Sequence, residues 1–202
     1  MNKSRGRPPG RSDTRARILA AARESFLRHG YNATTMRAVA ESVDVDPALI
    51  SYYYGTKQGL FGSAMSLGIA PGQVIDRVLR SEPERLPQAI LQAVLTVWDN
   101  PDIGRPLTLL VTQAQRDPAL QRTFGEYVQR ELIGRLAAHI GGRDATERAS
   151  GMLTVTLGMI MSRYVLKLHP LASMEPQRVQ QLLTPSLTAA LHQPGTPRTR
   201  GR

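Results

Sequence analysis

The chain has 202 residues, of which 41% are hydrophobic and none is cysteine, and its formal net charge at pH 7 is +10. This length and apolar content allow a sizeable core in one or two domains, while the lack of cysteine excludes disulfides, thiolate metal sites and a cysteine nucleophile. No long apolar run occurs, so neither a membrane span nor a secretory signal is predicted, and we expect a cytoplasmic protein that has no membrane partner.

Both ends of the chain are basic. Residues 1–11 are rich in arginine, glycine and proline and are predicted to be a disordered arm, as is the basic tail 193–202. Within the arm, Arg5-Gly6-Arg7-Pro8 resembles an AT-hook, whose two arginines lie along the narrow minor groove of A·T-rich DNA. A basic tail that touches only phosphates explains these residues equally well.

The stretch 34–57 is predicted to form a helix-turn-helix, after a first helix from about Ser12 to His29. Thr35 is a good N-cap for one short helix, and Asp46 followed by Pro47 is a strong start signal for the next. In a helix-turn-helix the second helix enters the major groove of DNA. An ordinary pair of packed helices is the alternative. Against it, the second helix, 47–54, is too short to bury a useful apolar stripe and carries a serine and three tyrosines, whose hydroxyls suit phosphates and base edges.

Residues 14–61 resemble the DNA-binding domain of the tetracycline-repressor (TetR/AcrR) family of bacterial transcription regulators. The motifs that carry the resemblance are TRARIL, FLRHGYNATTMRAVA and YYYGTKQGLF. The resemblance implies a DNA-binding domain at 12–62. Taken residue by residue, it implies phosphate or base-edge contacts from Thr35, Arg37, Tyr53 and Lys57, base contacts from Pro47, Ala48 and Ser51, and a supporting or backbone contact from Tyr52. The AT-hook interpretation of the arm adds minor-groove contacts from Arg5 and Arg7.

Two residues depart from the family pattern. Gly59 stands where a capping glutamate is common, which predicts a weaker start for the helix that begins at Lys57. Ser51 stands where the family often has tyrosine, so one DNA contact that is usual among relatives is in question here.

Residues 63–192 are predicted to form a second, entirely helical domain for effector binding and dimerisation. Helices are expected near 84–99, 105–115, 117–140, 144–168 and 175–191. Helix 144–168 is apolar around most of its circumference, which predicts burial on two sides. The resemblance implies that helices 144–168 and 175–191 pack against their symmetry mates in a homodimer; burial within a monomer is the alternative.

An effector pocket is a further expectation for this domain. Methionine and aromatic side chains suit an adaptable apolar site. The candidate lining residues are Met65, Trp98, Leu109, Met152, Met159 and Tyr164, and an ordinary hydrophobic core is the competing interpretation.

No pattern in the chain indicates catalysis. The four histidines lie far apart without a ligand partner at metal-binding spacing, and no nucleotide-binding glycine loop occurs. We therefore predict an all-α, homodimeric, non-enzymatic repressor without metal or cofactor, released from a palindromic double-stranded operator by a small-molecule effector. The competing hypotheses are a constitutive nucleoid-type DNA-binding protein without an effector and a small all-α enzyme.

Overall fold

The computed structural model describes residues 11–65 and 71–192, and within these ranges every regular element is helical, which confirms the all-α prediction. None of the helices in these ranges has the length and apolar character that crossing a membrane requires. The α-helices are α1 (Arg11–Ala33), α2 (Met36–Ser42), α3 (Pro47–Tyr54), α4 (Lys57–Ala64), α5 (Pro71–Val78), α6 (Leu86–Asp99), α7 (Pro101–Ala114), α8 (Pro118–Tyr127), α9 (Arg135–Ile140), α10 (Ala145–Ile160) and α11 (Pro176–His192).

The first core holds α1 to α4 together and extends into α7 and α8. Ile18, Ala22 and Phe26 recur at helical spacing along α1 and are fully buried, as the sequence pattern predicts. Phe26 meets the ring of Phe61 edge-on at a centroid distance of 5.1 Å. Tyr127, at the end of α8, packs in the same cluster, so the core beneath the helix-turn-helix is shared with the C-terminal helices.

The second core is built by α5, α6, α9, α10 and α11. Leu91 of α6, Met152 of α10 and Leu187 of α11 are fully buried in it. The other side of α10 carries Leu157, which is 40% exposed, and the exposed Gly158. A single chain therefore covers one face of α10 and leaves the opposite face open.

Several predicted helix limits need correction. The helix that begins at Lys57 ends at Ala64, and the sequence interpretation missed α5. Helix α7 begins at Pro101, since Asn100 caps it by accepting from the amide of Asp102 at 2.9 Å. The predicted helices 117–140 and 144–168 contain π-helical segments at Val128–Gly134 and Met161–Val165.

Candidate nucleic-acid interface and apolar cavity

Side-chain caps define both helices of the helix-turn-helix. The hydroxyl of Thr35 accepts a 3.0 Å hydrogen bond from the amide of Ala38, and the carboxylate of Asp46 accepts from the amide of Ala48 at 2.7 Å. Between the helices, Asp44 has φ 53°, a left-handed conformation that aspartate tolerates better than most residues. The two caps are those on which the sequence prediction of the helix-turn-helix depended.

Helix α3 has one anchored face and one open face. Ile50 and Tyr54 are buried, and the Tyr54 hydroxyl donates to the carbonyl of Arg15 in α1 at 3.3 Å. The open face carries four of the predicted DNA-contacting residues, which are all exposed: Pro47, Ala48, Ser51 and Tyr52. A face of this kind can meet another macromolecule without unfolding the domain.

Tyr52 and Tyr53 differ in how far they are held by the protein. Tyr52 is 77% exposed, whereas Tyr53 is half-buried and lies under the guanidinium of Arg15, which is 5.5 Å from its ring centroid. The two tyrosine rings are 5.5 Å apart. Arg15 was not predicted as a site residue; its cation–π contact brings a positive charge beside the open face of α3.

Arg37 lies near the start of α2 with most of its side chain in solvent. It forms a 2.9 Å ion pair with Glu41 one turn later, and both partners are exposed. Such pairs contribute at most about 1 kcal/mol, so Glu41 holds Arg37 only weakly. Its guanidinium remains accessible to an external anion.

Lys57, a predicted DNA contact, is also held by contacts within the protein. Its ammonium donates to the carbonyl of Asn32 at 3.1 Å and lies 4.6 Å from the ring centroid of Tyr31. Burial, followed by repulsion from Arg130, lowers the pKa of Lys57. Lys57 therefore joins the start of α4 to the end of α1. Arg5 and Arg7, the predicted minor-groove residues, lie outside the described residues.

Gly59, which departs from the family pattern, fits a close approach of the backbone. A Cβ at this position would collide with the carbonyl oxygen of Tyr54. Thr56 caps the helix by accepting from the amide of Gly59 at 3.2 Å. Glycine is thus the residue that this connection between α3 and α4 accommodates.

A row of polar contacts joins α8 and the following π-helical segment to the end of α1. Thr123 donates to the carbonyl of Phe26 at 2.7 Å, and Glu126 accepts from the amide of Asn32 at 2.8 Å. One helical turn beyond, the buried carboxylate of Glu131 accepts a hydrogen bond from the Tyr31 hydroxyl at 3.0 Å and another from Gln58. The sequence interpretation did not single out Glu131, because nothing local marks this glutamate as buried.

A cavity of about 530 Å³ lies in the C-terminal part of the chain, within the size range of small-molecule sites. Two of the six predicted lining residues, Trp98 and Met152, border it. Met65 and Met159 are buried in the two cores but do not border the cavity. Aliphatic side chains from α5, α6, α7 and α10 and aromatic ones from α8 form most of its wall.

Leu109 and Tyr164 instead border a second cleft of about 540 Å³, together with Trp98 and several basic side chains. The Tyr164 hydroxyl donates to the carboxylate of Asp99 at 2.8 Å. Burial and this hydrogen bond raise the pKa of Tyr164. The predicted pocket therefore combines residues of two separate depressions with residues of the core.

Comparison with known proteins gives matches over both parts of the chain. A family model described as bacterial regulatory proteins, tetR family, matches residues 18–64, and one described as tetracyclin repressor-like, C-terminal domain, matches residues 84–191. The HTH-type transcriptional regulator BetI of Burkholderia thailandensis is 26% identical over 153 residues, covering 72% of this chain and 78% of that protein.

Solved structures of similar proteins include a TetR-family regulator from Streptomyces coelicolor A3, which is 32% identical with a TM-score of 0.46; the match covers 92% of this chain and 98% of that chain. Another is NalD, the secondary repressor of the MexAB-OprM multidrug efflux pump in Pseudomonas aeruginosa. It is 20% identical with a TM-score of 0.46, over 87% of this chain and 94% of that one.

Proposed function

Since the chain belongs to the tetR family of bacterial regulatory proteins and is therefore a DNA-binding transcriptional regulator, we propose that it acts as a homodimeric repressor whose release from a palindromic operator is triggered by a small molecule. The observation that carries the proposal is the open face of α3. Its exposed residues 47, 48, 51 and 52 stand on a helix that Ile50 and Tyr54 anchor firmly.

In the proposed complex α3 lies in the major groove, and the rest of the domain contacts the DNA backbone. Pro47, Ala48 and Ser51 face base edges, and Tyr52 lies beside them. Thr35, Arg37, Tyr53 and Lys57 contact phosphates or base edges near the starts of α2 and α4, with Arg15 adding charge. Arg5 and Arg7 enter the adjacent minor groove.

The exposed face of α10 and α11 supports a dimer through these two helices. Leu157 is 40% exposed on α10 and Leu182 is 50% exposed on α11, and an added Cβ at Gly158 would meet no atom within 4 Å. Exposed leucines beside an exposed glycine suit a self-complementary contact about a two-fold axis. In the dimer the two copies of α3 are separated by about 34–36 Å, one turn of DNA.

The position of the apolar cavity supports regulation by a ligand. Tyr127 borders the cavity and also packs against Phe61 of α4. A ligand that prefers a shifted position of α4 changes the distance between the two recognition helices. By thermodynamic reciprocity, DNA then weakens ligand binding by the same factor.

The test is a fluorescence-anisotropy titration of the purified full chain with DNA from upstream of its own gene, with scrambled DNA of equal length as competitor. A repressor of this kind binds the upstream DNA at least about a thousandfold more tightly than the competitor. Equal affinity for both, with a steep dependence on salt, contradicts the proposal and supports a nucleoid-type protein.

A further inference from the structure

We propose that the cavity accepts a neutral, mainly apolar molecule with a single hydrogen-bonding group, and that this group bonds the hydroxyl of Tyr127. The inference deepens the proposed function, since it names the class of effector and the residue that detects it. Binding of such a molecule can be measured on the free protein, whether or not the protein binds an operator.

The wall of the cavity excludes an ion as the main ligand. Among the described residues, no lysine, arginine, histidine, aspartate or glutamate borders it. Trp98, Met152 and Ile160 are typical of its apolar wall. A charged group that leaves water for such surroundings loses its hydration without gaining a partner of opposite charge.

The few polar side chains at the cavity are not equivalent. Gln115 and Gln121 are exposed and lie at its rim. The Thr156 hydroxyl already donates its proton to the carbonyl of Met152 at 2.9 Å, so toward a ligand it can only accept. None of these three residues therefore offers a free, buried hydrogen-bond donor to the interior of the cavity.

Tyr127 is the exception. The residue borders the cavity and is 2% exposed, and its hydroxyl is buried without a hydrogen-bond partner among the described residues. Buried hydroxyl groups in folded proteins nearly always have a partner, because leaving one unsatisfied is costly. The hydroxyl itself has almost no accessible surface, so a ligand carbonyl, ether or hydroxyl oxygen within the cavity supplies the missing partner once the hydroxyl reorients toward it.

The ring of Tyr127 connects this hydrogen bond to the DNA-binding part of the chain. It stacks on the ring of Phe61 in α4 with centroids 4.7 Å apart and planes 19° from parallel, and it meets Tyr31 edge-on at 5.2 Å. A ligand that reorients the Tyr127 hydroxyl therefore moves a ring that packs directly on α4. Because packed aromatic clusters adjust by discrete shifts, a small movement at the cavity changes the position of α4.

The first experiment measures ligand class by isothermal titration calorimetry of the full chain with four matched probes. They are para-pentylphenol, pentylbenzene, para-pentylbenzoate and para-pentylphenyl trimethylammonium. We expect the two neutral probes to bind at least about tenfold more tightly than either ion. Undetectable binding of the neutral probes, or equal binding of an ion, overturns the proposal.

The second experiment isolates the hydroxyl. In Tyr127→Phe the ring and its stacking on Phe61 are retained, so affinity for pentylbenzene is expected to stay the same. Affinity for para-pentylphenol is expected to fall about fivefold, the effect of one hydrogen bond. Tyr164→Phe, at a tyrosine that borders only the second cleft, is the matched control and leaves both affinities unchanged. An equal loss for both probes in Tyr127→Phe, or no loss, overturns the role of the hydroxyl.

A third measurement separates this proposal from the repressor function. Ala93→Phe narrows the cavity from α6 and is expected to weaken both neutral probes by about tenfold or more, whereas unchanged affinities place the probes elsewhere and overturn the proposal. In the upstream-DNA titration, saturating para-pentylphenol is expected to weaken DNA binding of the native chain, and to do so less in Tyr127→Phe. If the chain shows no specific DNA binding at all, the repressor function fails while the ligand-class results still stand.

Discussion

The hydroxyl of Tyr31 donates a 3.0 Å hydrogen bond to the carboxylate of Glu131, a residue 100 positions later in the chain. Both residues are buried: Tyr31 has no exposed surface, and Glu131 is 7% exposed. Gln58 of α4 donates to the same carboxylate, and the guanidinium of Arg130 lies 3.7 Å from it. This small network joins the helix-turn-helix part of the chain to the helices around the cavity.

Removing the carboxylate is expected to destabilise the chain. Glu131→Ala leaves the Tyr31 hydroxyl without its buried acceptor and should lower the free energy of unfolding by about 2–3 kcal/mol, while Tyr31→Phe should cost about 1 kcal/mol. Urea denaturation checks both values and, in the double variant, their coupling. Glu24→Ala, at an exposed glutamate, is the control and should change stability by less than about 0.5 kcal/mol. If Glu131→Ala lost no more stability than that control, the network would not contribute to the stability of the fold.

Arg37 is expected to contribute to DNA binding without contributing much to stability. Arg37→Ala should weaken binding to the upstream DNA by about 1–3 kcal/mol if it reads a base, or reduce the salt dependence by about one unit if it contacts a phosphate. Arg28 has the same surroundings, an exposed ion pair with a glutamate one turn away, but lies on α1. Arg28→Ala is therefore the matched control, and equal effects of the two variants would remove Arg37 from the interface.

Lys57 is expected to act both on DNA and on the fold. Lys57→Met keeps the apolar stem over Tyr31 but loses the hydrogen bond to Asn32 and the charge. DNA affinity should fall, with the slope of log affinity against log salt reduced by about one, and the free energy of unfolding should fall by about 1 kcal/mol. Anisotropy titrations over a salt series and urea denaturation measure the two effects. An unchanged salt slope would assign Lys57 to the fold alone.

Acidic substitutions on the exposed leucines of α10 and α11 should break the dimer. Leu157→Asp and Leu182→Asp would each bury an unpaired charge in the proposed interface, which is strongly unfavourable. Sedimentation velocity should then show a monomer at micromolar concentration. Leu109→Asp, at a leucine on α7 that is 56% exposed, should remain dimeric. A native chain that sediments as a monomer would rule out the dimer altogether.

Stability should decrease at alkaline pH. Burial raises the pKa of Tyr31, Tyr127 and Tyr164, and Glu131 raises the first two further. A phenol in the unfolded chain ionises near pH 10. The contribution of each buried tyrosine to the free energy of unfolding is therefore complete below about pH 10. Above that pH the contribution is lost, by up to about 1.4 kcal/mol per tyrosine and pH unit.

Urea denaturation at pH 9 and pH 11 measures this dependence. The double variant Tyr31→Phe/Tyr127→Phe should lose less stability than the native chain between these pH values, whereas Tyr52→Phe, at an exposed tyrosine, should behave like the native chain. If the double variant lost as much stability as the native chain between these pH values, Tyr31 and Tyr127 would not be the source of the alkaline loss.

Local patterns predicted the helix-turn-helix well because its signals are short-range. The caps at Thr35 and Asp46 bond amides two or three residues away, so residue type and spacing suffice to identify them. The break in α1 at Gly30, which adopts φ 87°, follows from the same kind of signal, although α1 continues to Ala33, beyond the predicted end near His29.

The limits of the helices in the C-terminal half of the chain were predicted less well. The π-helical segment Val128–Gly134 lies inside a stretch that was predicted as one uninterrupted helix, and no proline marks it in the sequence. The lining of the cavity was predicted only in part, because methionines on one helix can face a core, a cavity or solvent at the same sequence spacing. Trp98 and Met152 border the cavity, while Leu109 and Tyr164 lie at the other cleft.

The sequence by itself determined the all-α class, the two caps and turn that present α3, and the resemblance to a family of DNA-binding regulators, because each depends on residues that are neighbours along the chain. Only the tertiary structure decided that Lys57 is partly held by Asn32, that Glu131 is buried beneath Tyr31, and that Tyr127 links the cavity to Phe61. These relationships join residues far apart in sequence, and they exist only where packing brings helices together and removes their side chains from water.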